Sequence, residues 1–285
     1  MYDTAIIIPH YNDVTRLKRC LEALMPQVGG DVEVVVADNG STESLDPVCG
    51  RWPDLRIVAQ PEKGAGPARN AGVATMTAPW LMFLDADCVP APDWIETGRR
   101  IRRPGVITGG EVTLFDETPP PRSGAEAFET VFAFQVERYL RQDGFLVSAH
   151  LVLSRADFEA VGGFRSGIAE DIEWCHRATA CGHRLVLDPA LRVVHPTRSD
   201  WAALLRKWRR MVLENFEMYG RTTGGKALYL VKALLMPVSI VAHAPRILGD
   251  SRLSVGEKGR ALATLIWIRL TRLVWMLRQV VTGHL

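Results

Sequence analysis

Residues 80–87 read Trp-Leu-Met-Phe-Leu-Asp-Ala-Asp, an apolar run that ends in two carboxylates one residue apart. The run has the length and composition of a buried strand, and Asp85 and Asp87 lie on the same side of an extended chain. Carboxylate oxygens suit a hard cation such as Mg²⁺ or Mn²⁺. The pattern therefore predicts a metal site at a strand end, and a turn that caps the strand is the alternative.

Similar apolar runs precede this stretch, and helix-like segments separate them. The alternation indicates an α/β fold with a mostly parallel sheet that is flanked by helices. Ligands of open α/β sheets bind beyond the carboxyl ends of the strands, so the polar residues after each run are candidate site residues. The predicted strands before this stretch cover residues 4–9, 32–37 and 55–59, and the polar segments cover 9–13, 38–42 and 85–87.

Three consecutive prolines place a loop at residues 118–123, because proline continues neither a helix nor a central strand. Beyond this loop, the patterns predict a helix over 125–141, a strand over 144–153 and a short helix over 155–161. The loop is expected to separate the sheet core from a second layer.

The net charge of +2 conceals a strong asymmetry along the chain. Residues 1–200 contain 20 Lys and Arg against 28 Asp and Glu, whereas residues 201–285 contain 14 against 4. We therefore predict two domains with a boundary at residue 200, the second being helical, basic and apolar. This composition favours an anionic membrane surface over nucleic acid as a partner. An ordinary helical subdomain or a dimer interface is the alternative.

Two apolar segments, 227–244 and 261–281, dominate the basic region. Lys, Arg or Pro interrupts both, so neither is a clean transmembrane span, and a hairpin that dips into a membrane with snorkelling arginines fits both. The five cysteines form no C-x-x-C pair and indicate reduced thiols in a cytoplasmic compartment. The first residues also lack the basic segment of a secretory signal.

Two motifs in the first half of the chain have the chemistry to bind a nucleotide. Asp38 follows the second predicted strand and is placed to accept hydrogen bonds from a base or a ribose, although an Asx turn closed by Gly40 is the alternative. The glycine-containing stretch 63–72 opens a helix, and this helix start together with Arg69 has the chemistry to hold an anionic phosphate or a sugar carboxylate cluster.

Two carboxylates and a histidine complete the candidates. Glu170 and Asp171 precede a helix-like segment. A carboxylate in a cleft can take the proton from an attacking hydroxyl, and favourable charge at a helix N-terminus is the alternative. His195 ends another apolar run. At this position His195 serves either as a metal ligand or as a structural residue.

Five elements in this order resemble the family 2 glycosyltransferases of GT-A fold, over about residues 4–198. Each motif is common alone, so the order makes the resemblance specific. The elements are Ile7-Ile8-Pro9-His10-Tyr11-Asn12, Ala37-Asp38-Asn39-Gly40-Ser41-Thr42, Gly66-Pro67-Ala68-Arg69-Asn70-Ala71-Gly72, Asp85-Ala86-Asp87, and Gly163-Phe164 leading to Glu170-Asp171.

The resemblance implies a role for each motif. Asp171 is the expected base that deprotonates the acceptor hydroxyl. Asp85 and Asp87 are the expected D-x-D motif that binds Mg²⁺ or Mn²⁺, with Asp87 as the more direct ligand and His195 as an additional one. The residues expected to contact the nucleotide sugar are Pro9, His10, Tyr11, Asp13, Asp38, Gly66, Arg69, Asn70, Asp85, Ala86 and Asp87.

The resemblance also implies a metal-dependent, inverting transfer of sugar from a nucleotide-diphosphate sugar to a hydroxyl. A UDP-sugar is the expected donor, and a GDP-sugar is the alternative. The Q-x-x-R-W motif of processive synthases is not matched by residues 207–210, which favours transfer of one sugar. The expected acceptor is a lipid-linked or glycan intermediate of cell-envelope glycoconjugate synthesis, used by a peripheral enzyme on the cytoplasmic face of the membrane.

Two departures from the family pattern stand close to the expected nucleotide site. Asn39 replaces a residue that is commonly acidic, and His10 replaces a small polar one. Two other functions are alternatives. A sugar nucleotidyltransferase needs a glycine-rich basic loop after the first strand, which residues 9–12 do not form. A non-catalytic nucleotide-sugar-binding subunit has no need of Asp171.

Overall fold

The computed structural model describes residues 1–53, 55–220 and 222–285. Its first strand, β1 (Thr4–His10), is buried along its whole length, as expected for a central strand with both faces covered. β1 pairs in parallel with β2 (Val32–Asp38) on one side and with β4 (Trp80–Leu84) on the other, and β3 (Arg56–Ala59) extends the parallel part beyond β2. The carboxyl ends of β1, β2 and β4 therefore meet at one edge of the sheet.

The second half of the sheet is antiparallel where β4 meets β7 and where β7 meets β6. The eight strands follow the order β3-β2-β1-β4-β7-β6-β8-β5, so the sheet is mixed. The remaining strands are β5 (Val89–Pro90), β6 (Val106–Phe115), β7 (His150–Ser154) and β8 (Arg184–Pro196).

The chain folds into two compact units, and the first contains Met1–Thr113, Gln135–Ser166 and Glu170–His195. Its α3 packs tightly on β1, because a Cβ atom at Gly72 would lie 2.6 Å from the Ile7 side chain. The α-helices of this unit are α1 (Val14–Leu24), α2 (Asp46–Cys49), α3 (Ala65–Ala74), α4 (Trp94–Ile101), α6 (Val136–Arg138), α7 (Arg155–Val161) and α8 (Glu170–Ala180), and a 3₁₀ helix (Met25–Gln27) and a π-helix (Tyr139–Asp143) follow α1 and α6.

The second unit is helical and contains Leu114–Phe134, Gly167–Ala169 and Pro196–Leu285. Capping boxes at Ser123 and Ser254 begin two of its helices. Residues 114–134 join the C-terminal helices because α5 packs its apolar side against α9, α11 and α12. The helices are α5 (Gly124–Phe132), α9 (Trp201–Tyr219), α10 (Thr223–Leu234), α11 (Met236–Leu248) and α12 (Val255–Thr282).

The first-half strands and the long C-terminal helix agree with the sequence patterns, and three other segments differ. The helix predicted over 125–141 ends at Phe132, because Phe134 adopts a positive φ of 48°. The strand predicted over 144–153 begins only at His150. The apolar segment 227–244 belongs to two helices divided at Leu235, and Pro237, which interrupts its apolar sequence, lies in the first turn of α11.

No single helix among the described residues has both the length and the apolar composition to cross a membrane. The consecutive helices α10 and α11 meet these two criteria only when they are taken together, and they are bent by 53°.

Candidate active site

His10 and Asp38 face each other where β1 and β2 end, 3.1 Å apart between Nδ1 and Oδ1. The other ring nitrogen of His10, Nε2, accepts the backbone N–H of Asp13 at 3.1 Å. That contact assigns the ring proton to Nδ1, which donates to Asp38. Burial raises the pKa of Asp38, but hydrogen bonds from Ser41 and His10 outweigh it and hold this pKa below its ordinary value. Asp38 is thus a fixed carboxylate at the strand end.

Asn39 forms three hydrogen bonds to the segment that leads into α3. Its Nδ2 donates to the carbonyls of Gln60 and Glu62, and its Oδ1 accepts from the N–H of Gly64 at 2.7 Å. Only an amide side chain can donate and accept in this way, so the departure from an acidic residue has a structural reason. The sequence motif identified Asn39 as a departure from the family pattern but did not indicate its hydrogen-bond partners.

Tyr11 is the exposed aromatic residue of this region, with 54% of its surface accessible. Lys63 places its Nζ 4.4 Å from the centre of the Tyr11 ring.

Pro9 is buried within β1 and lies opposite Ala37. Asp13 caps α1 by accepting the N–H of Arg16 and also binds the Arg16 guanidinium. Asp13 therefore has a capping role, and its predicted contact with the nucleotide stays a prediction.

Arg69 connects two acidic motifs that are far apart in the sequence. Its side chain is only 2% exposed. Nη2 donates to Asp85 at 2.5 Å, and Nη1 donates to Glu170 at 2.7 Å. Burial lowers the pKa of Arg69, but the two carboxylates outweigh it and hold this pKa above its ordinary value. The arginine therefore joins the D-x-D motif to the acidic pair at the start of α8.

The glycine-containing loop at the start of α3 binds a carboxylate of the same protein. The N–H of Gly66 donates to Glu170 Oε2 at 2.9 Å, so this carboxylate occupies the anion position at the start of α3. Asn70 exchanges two hydrogen bonds of 2.8 Å with the backbone of Phe164, and a Cβ at Gly163 would lie within 3 Å of the same amide. Gly66 thus binds the first residue of α8 and Asn70 positions the segment before it, functions that local spacing does not indicate.

Asp87 and His195 lie together, 3.1 Å apart between Oδ2 and Nε2. Asp85 instead directs an oxygen to Arg69, and Ala86 between the two aspartates is nearly buried. The three predicted metal ligands therefore do not form one cluster. Within the described residues, no group of three or more His, Cys, Asp or Glu side chains is arranged to hold a metal ion.

Asp171 lies in the first turn of α8, next to Glu170. Its Oδ1 accepts hydrogen bonds from the N–H of Ser148, at 3.3 Å, and from the Ser148 hydroxyl. Burial and the neighbouring charge of Glu170 raise the pKa of Asp171 to about 6, although Arg69 and Ser148 oppose the shift. A carboxylate with this pKa is ionised at neutral pH and still basic enough to accept a proton.

Further contacts hold the segment that precedes the acidic pair. Arg177 donates to the carbonyls of Val161 and Gly163, and the indole N–H of Trp174 donates to Gly162. The ring of Phe164 lies 5.1 Å from that of Trp174. This support comes from side chains about one and two turns along α8, and no motif in the sequence pointed to it.

Comparison with known proteins agrees with this geometry. Residues 5–147 match the family described as Glycosyl transferase family 2. Glycosyltransferase AglE of Haloferax volcanii is 25% identical, and the alignment covers 96% of this chain and 92% of that protein. Pre-mycofactocin glycosyltransferase of Mycobacterium tuberculosis is 28% identical over 70% of this chain, but the match spans only 45% of that longer protein.

Solved structures share the GT-A fold. Mannosyltransferase PcManGT of Pyrobaculum calidifontis, solved in complex with GDP-Man and Mn²⁺, superposes with a TM-score of 0.62 at 19% identity, over 99% of this chain and 88% of that one. TarS of S. aureus, residues 1–349, gives a TM-score of 0.53 at 14% identity, over 99% and 92% of the two chains. The predicted fold class is thus confirmed. The matched region contains β1, β2 and β4 with the motifs at their carboxyl ends, and the chain belongs to the family 2 glycosyltransferases, enzymes that transfer a sugar from a nucleotide sugar.

Proposed function

We propose that this enzyme is a metal-dependent, inverting glycosyltransferase that moves one sugar from a nucleoside-diphosphate sugar to a hydroxyl acceptor. The observation that carries the proposal is the buried guanidinium of Arg69, which binds both Asp85 and Glu170. This contact brings the D-x-D motif and the acidic pair into one site. The site therefore has acidic groups for both ends of a displacement at the anomeric carbon.

Asp171 is the proposed general base. It would take the proton from the acceptor hydroxyl as the oxygen attacks the anomeric carbon on the face opposite the departing diphosphate, which inverts the configuration. Its raised pKa of about 6 and the hydrogen bonds from Ser148 support the role. Glu170 is less suited to it, because its carboxylate already binds Arg69 and the N–H of Gly66.

Asp87 and His195 are the proposed protein ligands of a divalent cation. A carboxylate oxygen and an imidazole nitrogen fit a cation that takes its other ligands from diphosphate oxygens and water. When bound, the cation would neutralise charge that develops on the departing diphosphate. Arg69 would hold the Asp85 side of the motif in place. The Mn²⁺ named in the complex of PcManGT supports this choice.

Asp38 and Tyr11 are the proposed nucleoside contacts. Asp38 is an ionised acceptor held by His10 and Ser41, and Tyr11 presents an exposed ring at the same strand end. A carboxylate accepts hydrogen bonds from a ribose hydroxyl or a base N–H, and an aromatic ring stacks on a base. We propose a UDP-sugar as the donor, with GDP-mannose, the ligand of PcManGT, as the competing candidate.

The proposed acceptor is a lipid-linked hydroxyl or a glycan intermediate of cell-envelope glycoconjugate synthesis. The basic, apolar composition of residues 201–285 supports an acceptor held at an anionic membrane. We accordingly propose that the enzyme works at the cytoplasmic face of the cell membrane. The family assignment sets aside a nucleotidyltransferase and a non-catalytic binding subunit.

A thermal-shift screen of UDP-, GDP- and dTDP-sugars, with and without Mn²⁺, tests donor and metal together. The correct donor is expected to raise the Tm by about 5 °C or more at saturating concentration, and only with the metal present. Asp87→Ala is expected to lose this metal-dependent shift, whereas Asp143→Ala, an exposed control, keeps it. A wild-type shift in Tm that is the same in EDTA would contradict the metal site.

NMR of the product would test whether the configuration at the anomeric carbon is inverted.

The hydroxyl of Ser148 gives a pH prediction. With Asp171 as the base, kcat/KM is expected to rise with pH through about 6 and then level off. Ser148→Ala removes a hydrogen bond that favours the ionised carboxylate, so the midpoint should move up by about one pH unit while the high-pH plateau is retained. Ser251→Ala, at an exposed position, is the control. An unchanged midpoint would argue that Asp171 is not the titrating base.

A further inference from the structure

Helices α10 and α11 expose an apolar surface to solvent. The largest exposures are 76% at Val241, 61% at Val238 and 58% at Leu234. Single exposed apolar residues are ordinary on protein surfaces, but a contiguous group marks an interaction site. This group, which we call the outer face, consists of Leu228, Val231, Leu234, Leu235, Val238, Val241 and Leu248.

The outer face is not needed to pack the helical unit. Other residues of the same two helices make the internal contacts. Tyr229 and Ala233 are buried in a cluster with Phe216 and Met276, and Ile247 is buried in the cluster around α5. The buried side therefore satisfies the core, and the outer face is left without a partner within this unit.

The charged residues on the two helices that carry the outer face are all basic. The sequence from 218 to 249 contains no Asp or Glu, and Lys226 and Lys232 are exposed on α10 itself. An apolar helical surface with lysines beside it is the pattern of a helix that lies in a membrane interface, where the lysines meet anionic headgroups.

The lengths of the two helices favour lying in the interface over crossing the bilayer. α10 has 12 residues and α11 has 13, and the chain bends by 53° between them. A spanning helix needs about 20 residues. We propose that the outer face docks on an anionic phospholipid bilayer, with α10 and α11 in the plane of the interface and Lys226 and Lys232 at the headgroups.

A second copy of this chain fits the outer face less well. In a symmetric dimer the same surface meets itself, so Lys226 and Lys232 would approach the lysines of the other copy without an acidic residue from α10 or α11 to compensate them. Anionic lipid supplies the missing negative charge. This inference rests on the proposed function, in which the acceptor is held at a membrane, and it names the surface that binds the membrane. Its test uses no sugar substrate, so a failure to bind vesicles can be distinguished from a failure of sugar transfer.

Flotation of the full-length protein with vesicles tests the docking surface. Vesicles of phosphatidylcholine alone are compared with vesicles that also contain phosphatidylglycerol. Wild-type protein is expected to bind the anionic vesicles more tightly. Leu234→Glu with Val238→Glu should weaken this binding more than about tenfold, since acidic groups are placed at the apolar surface. Tyr2→Glu, an exposed aromatic residue in the first unit, is the matched control and should bind like the wild type.

The lysines test the electrostatic part separately. Each lysine is expected to contribute about fivefold to binding of anionic vesicles, so Lys226→Gln with Lys232→Gln should weaken that binding by about 25-fold and leave binding to neutral vesicles unchanged. Circular dichroism and the Tm show whether each variant is folded. No wild-type binding to either vesicle, or equal binding by the Glu variant, overturns the proposal. A dimer that the Glu variant dissociates, without vesicle binding, overturns it in favour of self-association.

Discussion

Asp171→Asn is expected to lower kcat by about 10³-fold or more while nucleotide binding stays close to that of the wild type. Asparagine has nearly the same shape, but its amide cannot take a proton from the acceptor hydroxyl, and general-base catalysis is worth about 10²–10⁴-fold. Loss of the negative charge near the reacting centre adds to the effect. Single-turnover transfer, measured with saturating donor, separates the chemical step from product release.

The control for Asp171 is Asp143→Asn, an exposed aspartate with the same change of charge. It is expected to keep wild-type turnover. Donor affinity, measured by calorimetry on the Asp171→Asn protein, should change less than about threefold, because Asp171 serves the acceptor end of the displacement. Turnover that survives the substitution would remove Asp171 from the role of base, whatever the affinity.

The sequence allowed the parallel strands to be predicted because each is an apolar run followed by polar residues. β1, β2, β3 and β4 all begin and end within a residue or two of the predicted bounds. The segments that follow the three prolines were less predictable. The helix predicted over 125–141 ends early at Phe132, since the backbone of Phe134 leaves the helical region, and a positive φ at a phenylalanine has no sequence signal.

Some residues of the candidate site could likewise be proposed from the sequence, whereas their contacts could not. Asp85 and Asp87 could be proposed because they follow an apolar strand, and Asp171 because it stands at the start of a helix; Asp87 does lie beside His195. The partners of Arg69 and Gly66 could not be found, because Glu170 comes from about a hundred residues further along the chain. A glycine-containing helix start predicts an anion, but it does not distinguish a phosphate from a carboxylate of the same protein.

Arg69→Met is expected to lower the free energy of unfolding by about 3–5 kcal/mol, the cost of removing one partner from a buried ion pair. The guanidinium is 2% exposed and compensates two carboxylates that are themselves mostly covered, Asp85 and Glu170. Methionine fills a similar volume without charge, so the loss comes chiefly from two carboxylates left without a cation. Urea unfolding of the wild type and the variant, compared at equal m-value, measures this change in the free energy of unfolding.

Two comparisons show whether charge is the cause. Glu170→Gln in the Arg69→Met background removes one of the uncompensated carboxylates, so it should recover part of the lost stability, although it lowers stability in the wild type. Arg99→Met removes a more exposed arginine that binds Asp31 and should cost only about 0–1 kcal/mol. If Arg69→Met lowers the free energy of unfolding no more than Arg99→Met does, the connection between Asp85 and Glu170 does not hold the site together. In that case the two acidic motifs would keep their positions through the backbone of β4 and α8 alone.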